Sequence, residues 1–218
     1  MNGAVIFDLD GTLIDSAPDI HAAANTVLER HGIAPFTLAE VRGFVGHGAA
    51  VFIERCLAAR GRSDDPALQA QVLQGFLDLY EDAVHLTRPY PGVEACIDLL
   101  AADGLALGIC TNKPERPTRS VLAHLKLDRH FGVVIGGDTL PVRKPDPAPL
   151  QEAVARMDAG RVVFVGDSDV DAETAARAGV RFALYTQGYR KTAVEDLPQD
   201  ARFDHFDTLP EILAHLLA

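Results

Sequence analysis

The sequence predicts an α/β protein, with a Rossmann-like, doubly wound parallel sheet as its core and an inserted α-helical cap domain. Two observations support this fold class. Short, continuous apolar runs recur along the chain, and each stops at small polar or acidic residues, as strands buried on both faces of a parallel sheet do. Helix-like segments lie between these runs, except in one stretch near the N-terminus that shows helical periods alone.

Taken in order, the apolar runs predict strands at residues 4–7, 105–110, 133–135, 162–165 and 182–185. The amphipathic segments between and after them predict helices at residues 93–103, 117–125, 147–157, 168–178 and 209–217. Gly104 and Gly179 follow two of these helices directly, which is typical of helix C-termini. Strands that alternate with helices in this way favour parallel pairing.

The stretch from residue 16 to residue 85 predicts helices without strands, because its apolar residues recur at helical spacing. It begins after the acidic end of the first strand and stops before Pro89-Tyr90-Pro91-Gly92, a turn-forming segment. We therefore expect residues 1–15 and 86–218 to form the α/β core and residues 16–85 to form a helical cap.

Composition narrows the class of protein. The chain has 218 residues, which suits one domain with an insert, and its net charge of -11 makes nucleic acid an unfavourable partner. Its three cysteines lack Cys-x-x-Cys spacing, so neither a disulfide framework nor a thiolate metal site is predicted. No apolar run approaches the ~20 residues of a membrane helix. We expect a cytoplasmic enzyme, monomeric or homodimeric, without a membrane partner.

Polar residues at the strand ends predict one shared cleft, because the carboxyl ends of parallel strands meet at one edge of a sheet. Crowded carboxylates repel one another unless a divalent cation joins them, and oxygen ligands suit Mg²⁺. Hydroxyl, amide and ammonium groups beside them suit the oxygens of a phosphoryl group. The predicted set is Asp8, Asp10, Thr111, Asn112, Lys144 and Asp167.

Four segments, in this order, resemble the four motifs of the haloacid dehalogenase superfamily, and the resemblance spans nearly the whole chain. They are Phe7-Asp8-Leu9-Asp10-Gly11-Thr12-Leu13, Thr111-Asn112, Lys144-Pro145 and Gly166-Asp167-Ser168-x-x-Asp171. Taken alone, each has a simpler explanation; Thr111 and Asn112, for example, could cap the following helix. Together at strand ends they indicate a phosphohydrolase that acts on a small phosphorylated metabolite.

The resemblance implies a role for each residue. Asp8 would be the nucleophile that forms an aspartyl-phosphate, and Asp10 would protonate the leaving group and then activate water. Thr111 and Lys144 would hold the phosphoryl oxygens. Mg²⁺ would bind Asp8, Asp167 and the backbone carbonyl of Asp10. Asp171 would be an outer carboxylate that positions Lys144 or a metal-bound water.

The cap carries the substrate prediction. Gly46-His47-Gly48 precedes a predicted helix, and Arg42 lies upstream, so amide groups and cations could meet an anionic substrate tail. A plain helix–helix turn explains the same residues equally well. With the later Gly188-Tyr189, they are similar to the phosphoglycolate phosphatase branch of the superfamily, which implies a small carboxylated phosphate ester as substrate.

Two alternatives stay open. Within the family, the substrate could be another small phosphate, such as a sugar phosphate, a nucleotide or pyrophosphate. From a different class, the chain could hold an aspartyl-phosphate as a signal, as receiver domains do with a similar Asp, Lys and Thr. The predicted cap and the presence of Asp10 favour hydrolysis over signalling.

Overall fold

The protein is described here by a computed structural model of residues 3–218, in which strands form one six-stranded parallel sheet and one two-stranded antiparallel pair. The strands are β1 (Gly3–Phe7), β2 (Ile14–Asp15), β3 (Arg88–Pro89), β4 (Ala106–Cys110), β5 (Phe131–Ile135), β6 (Arg161–Gly166), β7 (Arg181–Tyr185) and β8 (Ala201–Phe203). The helices are α1 (Ala17–Arg30), α2 (Leu38–Phe44), α3 (Ala49–Ala59), α4 (Pro66–Tyr80), α5 (Val93–Ala102), α6 (Glu115–His124), α7 (Ala148–Met157), α8 (Asp169–Ala178) and α9 (Leu209–Leu216).

The order of the strands in the large sheet is β5-β4-β1-β6-β7-β8. The chain builds outward from β1 in both directions, which is the doubly wound arrangement that the sequence predicts. Phe7, the last residue of β1, pairs with Ile109 on one side and with Val165 on the other. Three carboxyl ends therefore lie next to one another at the point where the strand order reverses, where ligands bind in folds of this kind.

Alternating residues of β1 face two hydrophobic clusters on opposite sides of the sheet, as the two-residue period of a strand requires. Val5 and Phe7 belong to a cluster that includes Ile97 of α5. Ile6 belongs to a second cluster, which includes Leu150 of α7. Burial on both faces explains why the strand reads as a continuous apolar run in the sequence.

Helices α1 to α4 have a hydrophobic cluster of their own, with Val27, Phe52 and Phe76 among its buried residues. Local signals fix where these helices begin. At α2, Thr37 and Glu40 form a reciprocal capping box, and at α4 the Asp65 side chain accepts a hydrogen bond from a backbone amide. The chain enters and leaves this segment side by side, since β2 and β3 pair with each other. The domain boundaries at residues 16 and 85 stay a prediction.

The secondary structure differs from the prediction in short elements. Strands β2 and β3, of two residues each, and β8, of three residues, were not predicted, because they are too short to show a strand period in the sequence. Helix α6 begins two residues earlier than predicted, because Pro117 lies in its first turn, where a missing amide proton costs no hydrogen bond. Among the helices that the structure describes, none is long and apolar enough to cross a membrane.

Candidate active site

A tight turn after β1 positions the side chains of Asp8 and Asp10. The carbonyl of Leu9 accepts hydrogen bonds from the amides of Thr12, Leu13 and Ile14, so the chain reverses directly after the strand. Asp8 is buried at the strand end, and the Asp10 carboxylate accepts a hydrogen bond of 2.5 Å from the Ser16 hydroxyl. The backbone conformation of this turn thus keeps both carboxylates at the same edge of the sheet.

A buried cluster of three carboxylates lies at this edge. Asp8, Asp167 and Asp171 each offer one oxygen, and these oxygens lie within 4.8 Å of one another. The Lys144 ammonium bridges two members of the cluster, at 2.9 Å from Asp8 Oδ1 and 2.6 Å from Asp171 Oδ1. The cluster thus has three carboxylates and one ammonium, which contacts two of them, and it carries excess negative charge when all are ionised.

The pKa values reflect this crowding. Burial raises the pKa of Asp8 to about 6, although the neighbouring Lys144 opposes the shift. Burial and the charge of Asp171 raise the pKa of Asp167 well above its usual range. Burial works against a charged Lys144, but the two carboxylates that it bridges outweigh burial and raise its pKa, so the ammonium stays protonated.

Asp171 is held from the helix that it begins. The Ser168 hydroxyl donates to Asp171 Oδ2 at 2.5 Å, and the two residues form a capping box at the start of α8. One carboxylate oxygen is thus fixed by the helix cap, and the other faces Lys144. Of the two partners that the sequence left open for Asp171, the structure brings it to Lys144.

Asp167 is fixed by groups from distant parts of the chain. The Thr12 hydroxyl donates to its Oδ1 at 2.8 Å, and the Tyr189 amide donates to its Oδ2 at 2.6 Å. Gly188 leaves the space that this carboxylate occupies, since a Cβ there would lie 2.3 Å from Asp167 Oδ2. Gly11, with φ of +90°, similarly approaches the same oxygen. The close backbone approach aims the carboxylate into the cluster.

Two clefts between the sheet edge and the inserted helices share Asp8, Asp10 and Gly46 in their linings. The first, which we call the Lys113 cleft, is also lined by Thr111, Asn112, Lys113, Tyr80 and the apolar side chains of Ile20, Phe52 and Phe76. The second is lined also by His47, Asp167, Ser168, Tyr189 and Lys191. The carboxylates lie where the two clefts meet.

Of the two predicted phosphoryl-binding residues after β4, the structure leaves Thr111 at the cleft but engages the side-chain amide of Asn112 elsewhere. Thr111 is buried and lines the Lys113 cleft. The Asn112 amide group instead donates to two backbone carbonyls, those of Gly46 at 3.0 Å and Lys144 at 2.9 Å. Both amide protons are thus engaged, and the side chain ties the turn before α3 to the sheet domain rather than presenting donors to the cleft.

The predicted substrate residues of the cap also separate. Gly46 lines both clefts, and His47 lines the second, where its Nδ1 is buried without a hydrogen-bond partner among the described residues. Burial, with the nearby Arg55, lowers the pKa of His47. Arg42 pairs with Asp15 at 2.7 Å, with 44% of its side chain exposed. The structure thus pairs Arg42 with Asp15 of β2 and not with the buried carboxylate cluster at the sheet edge.

Sequence reasoning missed a buried pair in the first cleft, Lys113 and Tyr80. The Lys113 ammonium donates to the Tyr80 hydroxyl and lies 3.4 Å from Asp10 Oδ1. The position of Lys113 beside Thr111 and Asn112 was a signal that could have found it. Tyr80 gave no such signal, because it continues the apolar face of α4.

The donor set fits a hard divalent cation. Asp8 and Asp167 offer buried carboxylate oxygens, and oxygen-only ligands are those that Mg²⁺ prefers. The raised pKa values of both groups show that their negative charge lacks full compensation from the protein alone. A bound cation would supply this compensation.

Comparison with known proteins identifies the family. The model of the haloacid dehalogenase-like hydrolases matches residues 5–185. The chain belongs to this family. A phosphoglycolate phosphatase of Cereibacter sphaeroides is 53% identical over 98% of this chain and 99% of its own length, and that of Rhodobacter capsulatus is 42% identical over 98% and 97%. The crystal structure of a predicted phosphoglycolate phosphatase from Haemophilus somnus superposes with a TM-score of 0.91, at 28% identity over 96% of this chain and 97% of that one.

Membership in the haloacid dehalogenase-like hydrolases confirms both the family that the motifs resembled and the predicted fold class. Phosphatases of this family are generally Mg²⁺-dependent. Among the described residues, Asp8, Asp167 and Asp171 form a cluster whose carboxylate oxygens could hold a metal ion.

Proposed function

We propose that this protein is a Mg²⁺-dependent phosphoglycolate phosphatase that works through an aspartyl-phosphate on Asp8. The observation that carries the proposal is the Asp8–Lys144–Asp171 arrangement beside Asp167, in a chain 53% identical to a phosphoglycolate phosphatase over nearly its full length. We further propose that residues 16–85 form a cap domain over this site, since helices of that segment line the first cleft and its α2–α3 turn lines both clefts.

Asp8 is suited to attack phosphorus. Lys144 engages one of its oxygens, which leaves the other free to form the bond. In the first step, an Asp8 oxygen bonds to phosphorus while the bond from phosphorus to the ester oxygen breaks, and Asp10 gives that oxygen a proton. In the second step, Asp10 takes a proton from water as the water attacks phosphorus and the bond to Asp8 breaks.

Lys144 and Thr111 hold the phosphoryl oxygens in this mechanism. Lys144 is kept in place by Asp171, which is itself fixed by the cap of α8. Mg²⁺ would be held by Asp8, Asp167 and the Asp10 carbonyl, and when bound it neutralises negative charge on the phosphoryl oxygens. Thr12 and the Tyr189 amide orient Asp167 toward that position.

A phosphate-release screen tests the proposal. With Mg²⁺ present, we expect the highest kcat/KM for phosphoglycolate among phosphoglycolate, sugar phosphates, nucleotides and pyrophosphate, and no turnover in excess chelator. Asp8→Asn is the control for contaminating phosphatase, since it removes the nucleophile. A higher kcat/KM for another substrate would reassign the specificity, and stoichiometric labelling of Asp8 without turnover would favour the signalling alternative.

A further inference from the structure

The Lys113 cleft contains a buried cation that the mechanism above does not use. Lys113 follows the Thr111-Asn112 segment after β4, and its side chain is 3% exposed. Its ammonium group has two partners in the described chain, the Tyr80 hydroxyl and Asp10 Oδ1, and the contact with Asp10 is long at 3.4 Å. An ammonium group has three N–H donors, so donor capacity remains.

Apolar side chains form much of the remaining wall around this ammonium, and the buried carboxylates of Asp8 and Asp19 also act on it. Ile20 of α1, Phe52 of α3 and Phe76 of α4 line the same cleft. The ring of Tyr80 stacks on Phe76, with ring centroids 4.8 Å apart, and this packing fixes the position of its hydroxyl. Burial lowers the pKa of Lys113, as expected for a cation that the protein alone does not fully solvate. An anionic group in the cleft would meet one ammonium and one hydroxyl.

The position of Lys113 relative to Asp10 indicates which part of a substrate it would meet. Lys144 and Thr111 are the proposed ligands of the phosphoryl oxygens, and Asp10 is the proposed proton donor to the ester oxygen. Because Lys113 contacts Asp10 directly, a group bound by Lys113 lies close to that oxygen. A carboxylate that one carbon separates from the ester oxygen lies close enough to that oxygen to reach the Lys113 ammonium. A neutral leaving group offers the ammonium no charge partner, and a long one places its charge farther away.

We propose that Lys113, supported by Tyr80, is the specificity-determining residue that binds a carboxylate on the leaving group. The inference rests on the proposed phosphatase function and deepens it, since it replaces Arg42, which is paired with Asp15, as the partner of the substrate's carboxylate. A purely structural Lys113 would instead serve to neutralise Asp10. The two roles differ in whether the effect of a substitution depends on the charge of the leaving group.

The test compares two substrates that differ in that charge, 2-phosphoglycolate and 2-hydroxyethyl phosphate. Lys113→Met keeps the length of the side chain and removes its charge. We expect kcat/KM for phosphoglycolate to fall roughly 10- to 100-fold more than that for 2-hydroxyethyl phosphate, the range for loss of a charge-assisted hydrogen bond. Lys126→Met, at an exposed lysine that lines neither cleft, is the matched control and should change neither value.

Tyr80→Phe provides a second variant that keeps the stacked ring and removes the hydroxyl. Its selective loss should be smaller, about 2- to 10-fold, since a neutral hydrogen bond is weaker. If Lys113→Met fails to fold, as judged by circular dichroism, the Tyr80 variant decides the question alone.

The outcomes separate the inference from the proposed function. Equal losses on both substrates in the folded variants would show that Lys113 and Tyr80 act only through Asp10, which overturns the inference and leaves the phosphatase proposal intact. A wild-type enzyme that hydrolyses 2-hydroxyethyl phosphate as fast as phosphoglycolate overturns the assignment of a carboxylate site. A wild-type enzyme inactive on phosphoglycolate overturns both.

Discussion

Replacing Asp8 with asparagine should make the metal-free protein less sensitive to pH, because it removes a buried carboxylate that is costly to ionise. Burial raises the pKa of Asp8 from its ordinary value of 3.8 to about 6. A carboxyl group whose pKa is higher in the folded state than in the unfolded state stabilises the fold fully at pH values below its unfolded-state pKa. This stabilisation is lost as the pH rises through its folded-state pKa. Ionisation of Asp8 therefore destabilises the metal-free fold as the pH rises from acid to neutral.

The size of the effect follows from the two pKa values. Between about pH 5 and about pH 7.5, a shift from 3.8 to about 6 lowers the free energy of unfolding by about 1.4 kcal/mol. Asp8→Asn is the reference, since asparagine does not titrate; the substitution also removes the Asp8 charge that helps to raise the pKa of Asp167, which favours the variant in the same direction. The difference in unfolding free energy between variant and wild type should thus shift by ~1.4 kcal/mol in favour of the variant over this interval.

Urea unfolding at the two pH values, in excess chelator, measures this quantity. Mg²⁺ should reverse the loss of wild-type stability with rising pH, because a bound cation favours the ionised carboxylates. At a concentration of 100 times its dissociation constant, Mg²⁺ would raise the free energy of unfolding by ~2.7 kcal/mol. This stabilisation should be larger near pH 7.5 than near pH 5. Parallel pH profiles for wild type and variant, with or without Mg²⁺, would refute the view that Asp8 is held at an energetic cost.

Three further outcomes are expected. Asp10→Asn should lower kcat roughly 10²- to 10⁴-fold, the range for a general acid–base group, while phosphate from p-nitrophenyl phosphate accumulates on Asp8. Rapid-quench mass spectrometry measures the phosphorylated peptide. Its absence, together with a steady-state rate near that of the wild type, would contradict the roles of Asp8 as nucleophile and Asp10 as acid and base. Arg42→Ala should change kcat/KM for phosphoglycolate and for p-nitrophenyl phosphate by the same factor, because the guanidinium pairs within the protein, and a loss confined to phosphoglycolate would count against this. Gly188→Ala should raise the Mg²⁺ concentration for half-maximal activity about 10-fold or more, since its Cβ would displace the Asp167 carboxylate; an unchanged Mg²⁺ titration would show that the loop adapts.

Much of the sheet domain follows from local sequence. The run before Asp8 is apolar at every position because both faces of β1 are buried, and its shortness and its alternation with helical segments predict a buried parallel strand. Once β1 pairs in parallel with β4 and β6, Asp8, Thr111 and Asp167 come to one edge of the sheet. The capping box of Ser168 and Asp171 is also a local feature, since its two residues lie three positions apart in the chain.

Within the helical segment the sequence predicted helices and their buried faces but not what those faces meet. Tyr80 occupies a position that the sequence pattern assigns to the core, and its hydroxyl has a buried ammonium as partner only because Lys113 enters the same cleft from another part of the chain. Periodicity reports which face of an element is buried; it does not report the identity of the partner.

The predicted roles of polar side chains divide in the same way. For Asp8 and Asp167 the sequence determined the position, because each directly follows a strand whose place in the sheet is fixed by backbone pairing. Lys144 lies in the loop between β5 and α7, so its place beside them was expected only from the family resemblance. For Arg42 and Asn112 only the tertiary structure decided, since a long or flexible polar side chain takes whichever partner lies within reach. Those partners, Asp15 and the carbonyl oxygens near the cleft, are brought close by the packing of helices onto the sheet edge, which no local pattern encodes.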